Sequence, residues 1–207
     1  MQKKFFVIRL VFGFFIWYSL GLAVVLAGTG GMGGMGGTDP VVEKSQTLHP
    51  PLVQEKPKID GLLDEAIRQT PPLKKDFISY NPLFGEKLPY ETLVWMAYDS
   101  KNLYFAFRCY DPEPQQIKTS LTSRDNMWND DWVGLTLDSL GSSQTTYGFC
   151  VNPDGIQGDL LESTTSQGGD VAPDFVWESV GKITPEGYNV EISIPLRSVR
   201  FNSGKEV

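Results

Sequence analysis

RDNMWNDDWVGLTLDSLGSSQTTYGFCVNPDGIQGD, residues 124–159, is the stretch whose reading decides the fold. Val133, Leu135 and Leu137 alternate with Gly134, Thr136 and Asp138, and Tyr147, Phe149 and Val151 alternate with Gly148, Cys150 and Asn152. A period of two marks strands with one buried face. The connecting LGSSQTT is short enough to fold the two segments back as antiparallel neighbours. NPDG at 152–155 then sets up another reversal, because Pro153 fixes φ at the first corner and Gly155 accepts the backbone angles that follow. Just ahead of the first segment, Arg124, Asp125, Trp128, Asp130, Asp131 and Trp132 crowd into one short rim. Function is expected on that rim.

Working outward, the same strand signal recurs at 92–98, 103–110, 175–183 and 188–194, separated by the turn pairs Asp99-Ser100, Asp111-Pro112 and Glu186-Gly187. Short strands with tight turns predict an all-β, antiparallel β-sandwich. In the last strand Tyr188, Val190, Ile192 and Ile194 are expected to face the core and Asn189, Glu191 and Ser193 to face water, with Pro195 ending it. Upstream, Asp60-Gly61 makes a turn. A short helix near 63–69 follows, with Leu63 and Ile67 at helical spacing, and Pro71-Pro72 ends it. It is expected to cap the sheet.

At the front, Lys3, Lys4 and Arg9 precede an uncharged apolar run over 10–27, and Val25 and Ala27 put small residues before Gly28. That pattern is an export signal, either cleaved after residue 27 or kept as an N-terminal membrane anchor. The glycine- and methionine-rich, then polar, segment 28–55 has no side chains able to build a core and is expected to be a linker. Residues 56–207 remain as one domain. The protein is therefore expected to be exported, periplasmic or in the cell envelope. Its formal net charge is −7, which repels a phosphate backbone and argues against nucleic acid as a partner. The single histidine, His49, has no neighbouring Cys, His or acid to make it a ligand. Cys109 and Cys150 both fall in predicted strands: in an oxidising compartment they pair if those strands lie close, and otherwise they are two small buried residues.

Five motifs stand in order along the domain: PKIDGLLDEA, YDSKNLYFAFRCYDPEP, SRDNMWNDDWVGLTLD, TYGFCVNPDGIQGD and VWESVGKITPEGYNVEISIPLRSVRF. The series resembles the family 9 carbohydrate-binding modules. It is most similar to the version at the front of large bacterial proteins of unknown function that carry a barrel-like outer-membrane region behind it. The resemblance implies a β-sandwich that binds sugars and is often attached to polysaccharide-degrading enzymes such as xylanases. Two features depart from the family: Ile67 stands where a tryptophan usually closes the first helix, and Val207 comes before the strand expected after IPLRSVRF. The domain is thus expected to be truncated at its C-terminus.

Proteins hold sugars with aromatic faces against C–H surfaces and with planar polar side chains on the hydroxyls. Trp128, Trp132, Arg124, Asp125 and Asp131 supply both kinds, and Trp132, out of phase with Val133, should point off the core face. The competing reading is structural, with Arg124 salt-bridged to Asp125 or Asp131 and the tryptophans covering the sheet edge. Trp95 and Tyr147 come next as carbohydrate-binding candidates. The phase of Trp95 is ambiguous, because Leu93 and Ala97 on its side are as apolar as Val94 and Met96 on the other. Trp177 is expected in the core. Asn152, Asp154 and Asp159 half resemble a calcium loop but lack the third early ligand and the bidentate Glu, so a turn held by its own Asx hydrogen bonds competes with a metal site and no cofactor is expected. No motif pairs two carboxylates for glycoside hydrolysis, and there is no G-x-S-x-G, no histidine base and no phosphate-cradling glycine loop before a helix. Catalysis by the domain itself is not expected. Two functions remain: a non-catalytic domain that binds oligo- or polysaccharide, tied to polysaccharide binding or breakdown, and an envelope protein-interaction domain packing on a following outer-membrane region.

Overall fold

A computed structural model describes residues 49–79, 86–140, 144–163 and 169–201. The expected signal or anchor, most of the linker and the chain end at Val207 lie outside these residues. Among the described residues no helix is long and apolar enough to cross a membrane.

Among the described residues seven strands form in chain order: β1 (Thr92–Tyr98), β2 (Asn102–Tyr110), β3 (Val133–Leu137), β4 (Thr145–Val151), β5 (Gln157–Ser163), β6 (Glu178–Thr184) and β7 (Gly187–Pro195). They build a four-stranded sheet, β1-β2-β7-β6, and a three-stranded sheet, β3-β4-β5, and every pairing is antiparallel. The inward residues of the two sheets meet in one buried cluster. Val94, Met96, Phe105, Phe107, Val190, Ile192 and Ile194 come from one sheet and Val133, Leu135, Leu137, Phe149 and Val151 from the other. The chain is an antiparallel β-sandwich. Each such side chain contributes about 1.5–3 kcal/mol on leaving water, so this shared layer is the main stabilising term. The register follows from it: Val133 lies opposite Val151 and Leu135 opposite Phe149, and a slip of one residue would turn every one of them outward.

Along one side of the sandwich the edge strands β5 and β6 are laced together. The Gln157 side-chain amide donates to the Trp177 carbonyl at 3.2 Å and to the Ser179 hydroxyl at 3.0 Å. Beside it the NPDG turn lies with its main chain directly against Gly181 of β6. A Cβ at Gly181 would come within 2.6 Å of both the Gly155 nitrogen and the Pro153 carbonyl oxygen. Gly155 itself sits at φ +85°, as the turn reading requires.

Two expectations need correction, and one strand goes beyond those expected. β5 has no alternation in QGDLLES, and its inward position opposite Phe149 is taken by Asp159, so the hydrophobic pattern gives no sign of it. The expected helix near 63–69 is a single 3-10 turn at Ala66–Gln69. Most consequentially, Asn189, Glu191 and Ser193 of β7 do not face water: all three are buried. The segment carrying Asp60, Gly61, Leu63 and Arg68 lies over this face. Glu191 accepts the Asp60 and Gly61 N–H groups at 2.9 and 2.8 Å and an Arg68 N–H at 3.5 Å. Asn189 donates to the Gly61 carbonyl at 3.1 Å, and Leu63 packs with Trp95 and Ala106. Alternation shows which way a side chain points; it carries no information about what a distant segment later lays on top.

Candidate functional site

The rim ahead of β3 is stapled by its own acids. The Lys118 N–H donates to the Asp131 carboxylate and the Asp131 N–H returns to the Lys118 carbonyl, both at 2.8 Å. Asp130 accepts the Ser120 hydroxyl at 2.7 Å and the Asn152 side-chain amide at 2.9 Å. Burial raises the Asp131 carboxyl above its ordinary value despite the Lys118 N–H. Both acids are spent on holding the loop.

Arg124 does form a salt bridge, but to neither of the expected partners. Its guanidinium reaches the buried Asp159 on β5 through Nε, at 3.0 Å, and through Nη2. It also donates to the Gln157 side-chain oxygen at 2.5 Å and to the Phe175 carbonyl at 2.8 Å. Asp159 further accepts the Trp177 indole N–H at 2.6 Å and the Phe175 N–H at 2.9 Å, while its own N–H goes to Asp125 at 2.7 Å. Asp125 holds a positive φ of 61°; burial lifts its carboxyl, and the Asp159 N–H only partly opposes this. A charge-assisted network of this kind, closed on all sides, orders a sheet edge. Arg124 and Asp125 are thus joints of the fold.

Trp128 and Trp132 are different. Both stay half-buried, their ring centroids 5.7 Å apart and their planes at 89°. The seat for them comes from glycine. Gly134, Cys150 and Gly158 form one cross-strand row on the outer face of the three-stranded sheet. A Cβ on Gly158 would stand 2.8 Å from the Trp128 ring, and one on Gly134 would stand 3.3 Å from the Trp132 ring. Two absent side chains let two indoles lie on the main chain. The same outer face goes on to Thr136, Thr146, Leu160 and Glu162, none of them buried, with the Thr146 hydroxyl donating to Glu162 at 2.9 Å.

The remaining candidates lie elsewhere. Trp95 is 5% exposed, donates its indole N–H to the Thr70 carbonyl at 2.9 Å and carries the Arg108 guanidinium 5.8 Å above its ring. It is no open platform. Tyr147 packs edge-on to Phe175 at 5.4 Å within the core layer. Trp177 is in the core as expected. Asn152, Asp154 and Asp159 do not converge. Asn152 accepts the Ile156 N–H at 2.7 Å, which is the Asx bond of the turn reading. Asp154 accepts the Thr119 hydroxyl at 2.9 Å, and Asp159 turns inward to Arg124. Carboxylates do gather at Asp60, Glu65 and Glu191, with oxygens within 4.8 Å of one another, but the buried Arg68 already supplies the positive charge there. Cys109 and Cys150 are both free. The first lies in the shared core, where burial pushes its thiol up to about 12; the second lies on the outer face of the opposite sheet under the tryptophans, so the condition for pairing is not met.

Sequence reasoning missed Gly134 and Gly158 as makers of the site. The signal was present: two glycines that the strand register brings to either side of one cysteine, next to two tryptophans.

No protein-family model matches the chain, and no curated protein matches it. Among solved structures it is similar to a carbohydrate binding module family 9 from Caldicellulosiruptor kristjanssonii in complex with glucose, at 20% identity and a TM-score of 0.47 over 73% of this chain and 71% of that one. A second structure from the same organism, in complex with cellotriose, gives 20% identity and a TM-score of 0.46 over 74% and 70%.

Proposed function

We propose that this domain is a non-catalytic carbohydrate-binding module of an exported protein, serving polysaccharide binding or breakdown in the periplasm or cell envelope. The sugar lies on the outer face of β3-β4-β5 against Trp128 and Trp132. The observation that carries this reading is the pair of half-exposed indoles seated on the Gly134–Cys150–Gly158 row. Indole faces cover the C–H side of a sugar ring, and the right angle between them makes a corner that holds one ring of a chain. Thr146 and the exposed Glu162 on the same face offer hydroxyl and carboxylate groups to sugar hydroxyls. Arg124 and Asp131, committed to the fold, have no part in it. Export rests on Lys3, Lys4 and Arg9 ahead of the apolar run at 10–27.

Glycan-array screening followed by calorimetric titration tests this. Trp128→Ala should weaken the selected oligosaccharide by about 2 kcal/mol, roughly thirtyfold. Circular dichroism must show both proteins folded, and unchanged affinity in the folded variant sinks the reading.

A further inference from the structure

On the far side of the sandwich, a cleft of about 310 Å³ opens between the end of β2 and the β6–β7 turn, lined by Arg108, Cys109, Thr184, Pro185, Glu186 and Asn189. Its volume is at the small end of ligand sites. The Arg108 guanidinium lies 5.8 Å over the buried Trp95 ring, whose indole N–H is bonded to the Thr70 carbonyl. Among the described residues no oxygen accepts a hydrogen bond from its guanidinium. A planar fork of donors over an aromatic face is suited to a carboxylate.

Around it the polar groups have capacity left. Asn189 gives its amide N–H to Gly61 and keeps its carbonyl oxygen. The Thr184 hydroxyl accepts the Glu186 N–H at 3.3 Å and keeps its own proton. Arg108 and Glu186 are the charged side chains of the lining, and Lys182 stands on the far side of Asn189 in the same cross-strand row. A dianionic phosphate would meet the Glu186 carboxylate with only one fork to hold it.

We propose that this cleft is a second binding site, distinct from the tryptophan corner, and that it takes an acidic sugar: the ligand carboxylate on Arg108, its hydroxyls on Asn189, Thr184 and Glu186. The site stands on the opposite sheet and does not depend on Trp128.

Calorimetry on the full chain with D-glucuronate and oligogalacturonate, with glucose and neutral galactose oligomers, and with acetate decides it. The uronates should bind about tenfold or more tightly than their neutral counterparts, and acetate should be weaker than either uronate. Arg108→Gln should cost the uronates at least about tenfold, Arg108→Lys should restore only part of it, and Trp128→Ala should leave uronate binding unchanged. Glu186→Gln, which removes a like charge, should strengthen uronate binding a few-fold and keeps the test valid if Arg108→Gln fails to fold. Equal binding of acidic and neutral sugars, acetate matching the uronates, or folded Arg108→Gln and Glu186→Gln proteins with unaltered uronate affinity would each overturn the proposal.

Discussion

The two outer faces of the sandwich are built from the same alternating pattern and end in opposite states. On β7, Glu191 is fully buried under the segment that carries Asp60, Gly61 and Arg68. On β4, Cys150 lies under two half-buried indoles seated on glycines, and Thr136, Thr146, Leu160 and Glu162 beyond them are not buried. One face has been closed by chain more than 120 residues away in sequence; the other keeps a surface that can meet a ligand. A polar residue at an outward strand position is therefore no sign of solvent, and a glycine there can be the more telling residue.

The largest effect is expected on the closed face. Glu191→Ala leaves Arg68 without its partner and the Asp60 and Gly61 N–H groups without their acceptor. Loss of a buried, hydrogen-bonded ion should cost about 3–5 kcal/mol in chemical denaturation, with saccharide affinity unaltered in the fraction still folded. If Glu191→Ala proves as stable as the parent, the cover is not held as described and the contrast between the faces collapses.

A smaller effect should appear on the open face. Gly158→Ala places a methyl 2.8 Å from the Trp128 ring, which must shift, at about 1–3 kcal/mol of stability. Here saccharide affinity should fall along with stability, because the seat and the site are the same atoms. Crystal structures or indole NMR shifts of the variant would show the displaced ring; an unmoved Trp128 would break the link.

The smallest effect is in pH. Burial raises the Glu191 carboxyl above its usual 4.5, outweighing the Gly61 and Asp60 N–H groups and the Arg68 charge that pull it down. The folded chain then keeps this proton over a range where the unfolded chain has released it. The contribution is full below about pH 4.5 and is lost as pH rises through the folded value, at no more than about 1.4 kcal/mol per pH unit. Glu191→Gln should remove that slope from the stability–pH curve, and an unchanged curve would place the titration on other groups.

Much of this was legible in residue order alone. β3, β4 and β7 follow from Val133-Leu135-Leu137, Tyr147-Phe149-Val151 and Tyr188-Val190-Ile192-Ile194, because burial of one face imposes period two whatever lies beyond. β5 was not legible, since Asp159 occupies an inward position and is made tolerable only by Arg124, Trp177 and the Phe175 N–H, none of which is a local neighbour. Trp95 was ambiguous for a physical reason: with the N-terminal segment laid over its face, both sides of β1 are buried, and an apolar residue on either is unremarkable. The Arg124 rim could be recognised as special, but its chemistry is electrostatic and long-range, and spacing gives no way to choose Asp159 over the nearer Asp125 and Asp131.

At Gly181 the two sheets touch through main chain alone, the NPDG turn resting where a side chain would otherwise project. Any side chain at Gly181 would push the turn away, so this one position sets how closely the two sheets approach, whatever their outer faces carry.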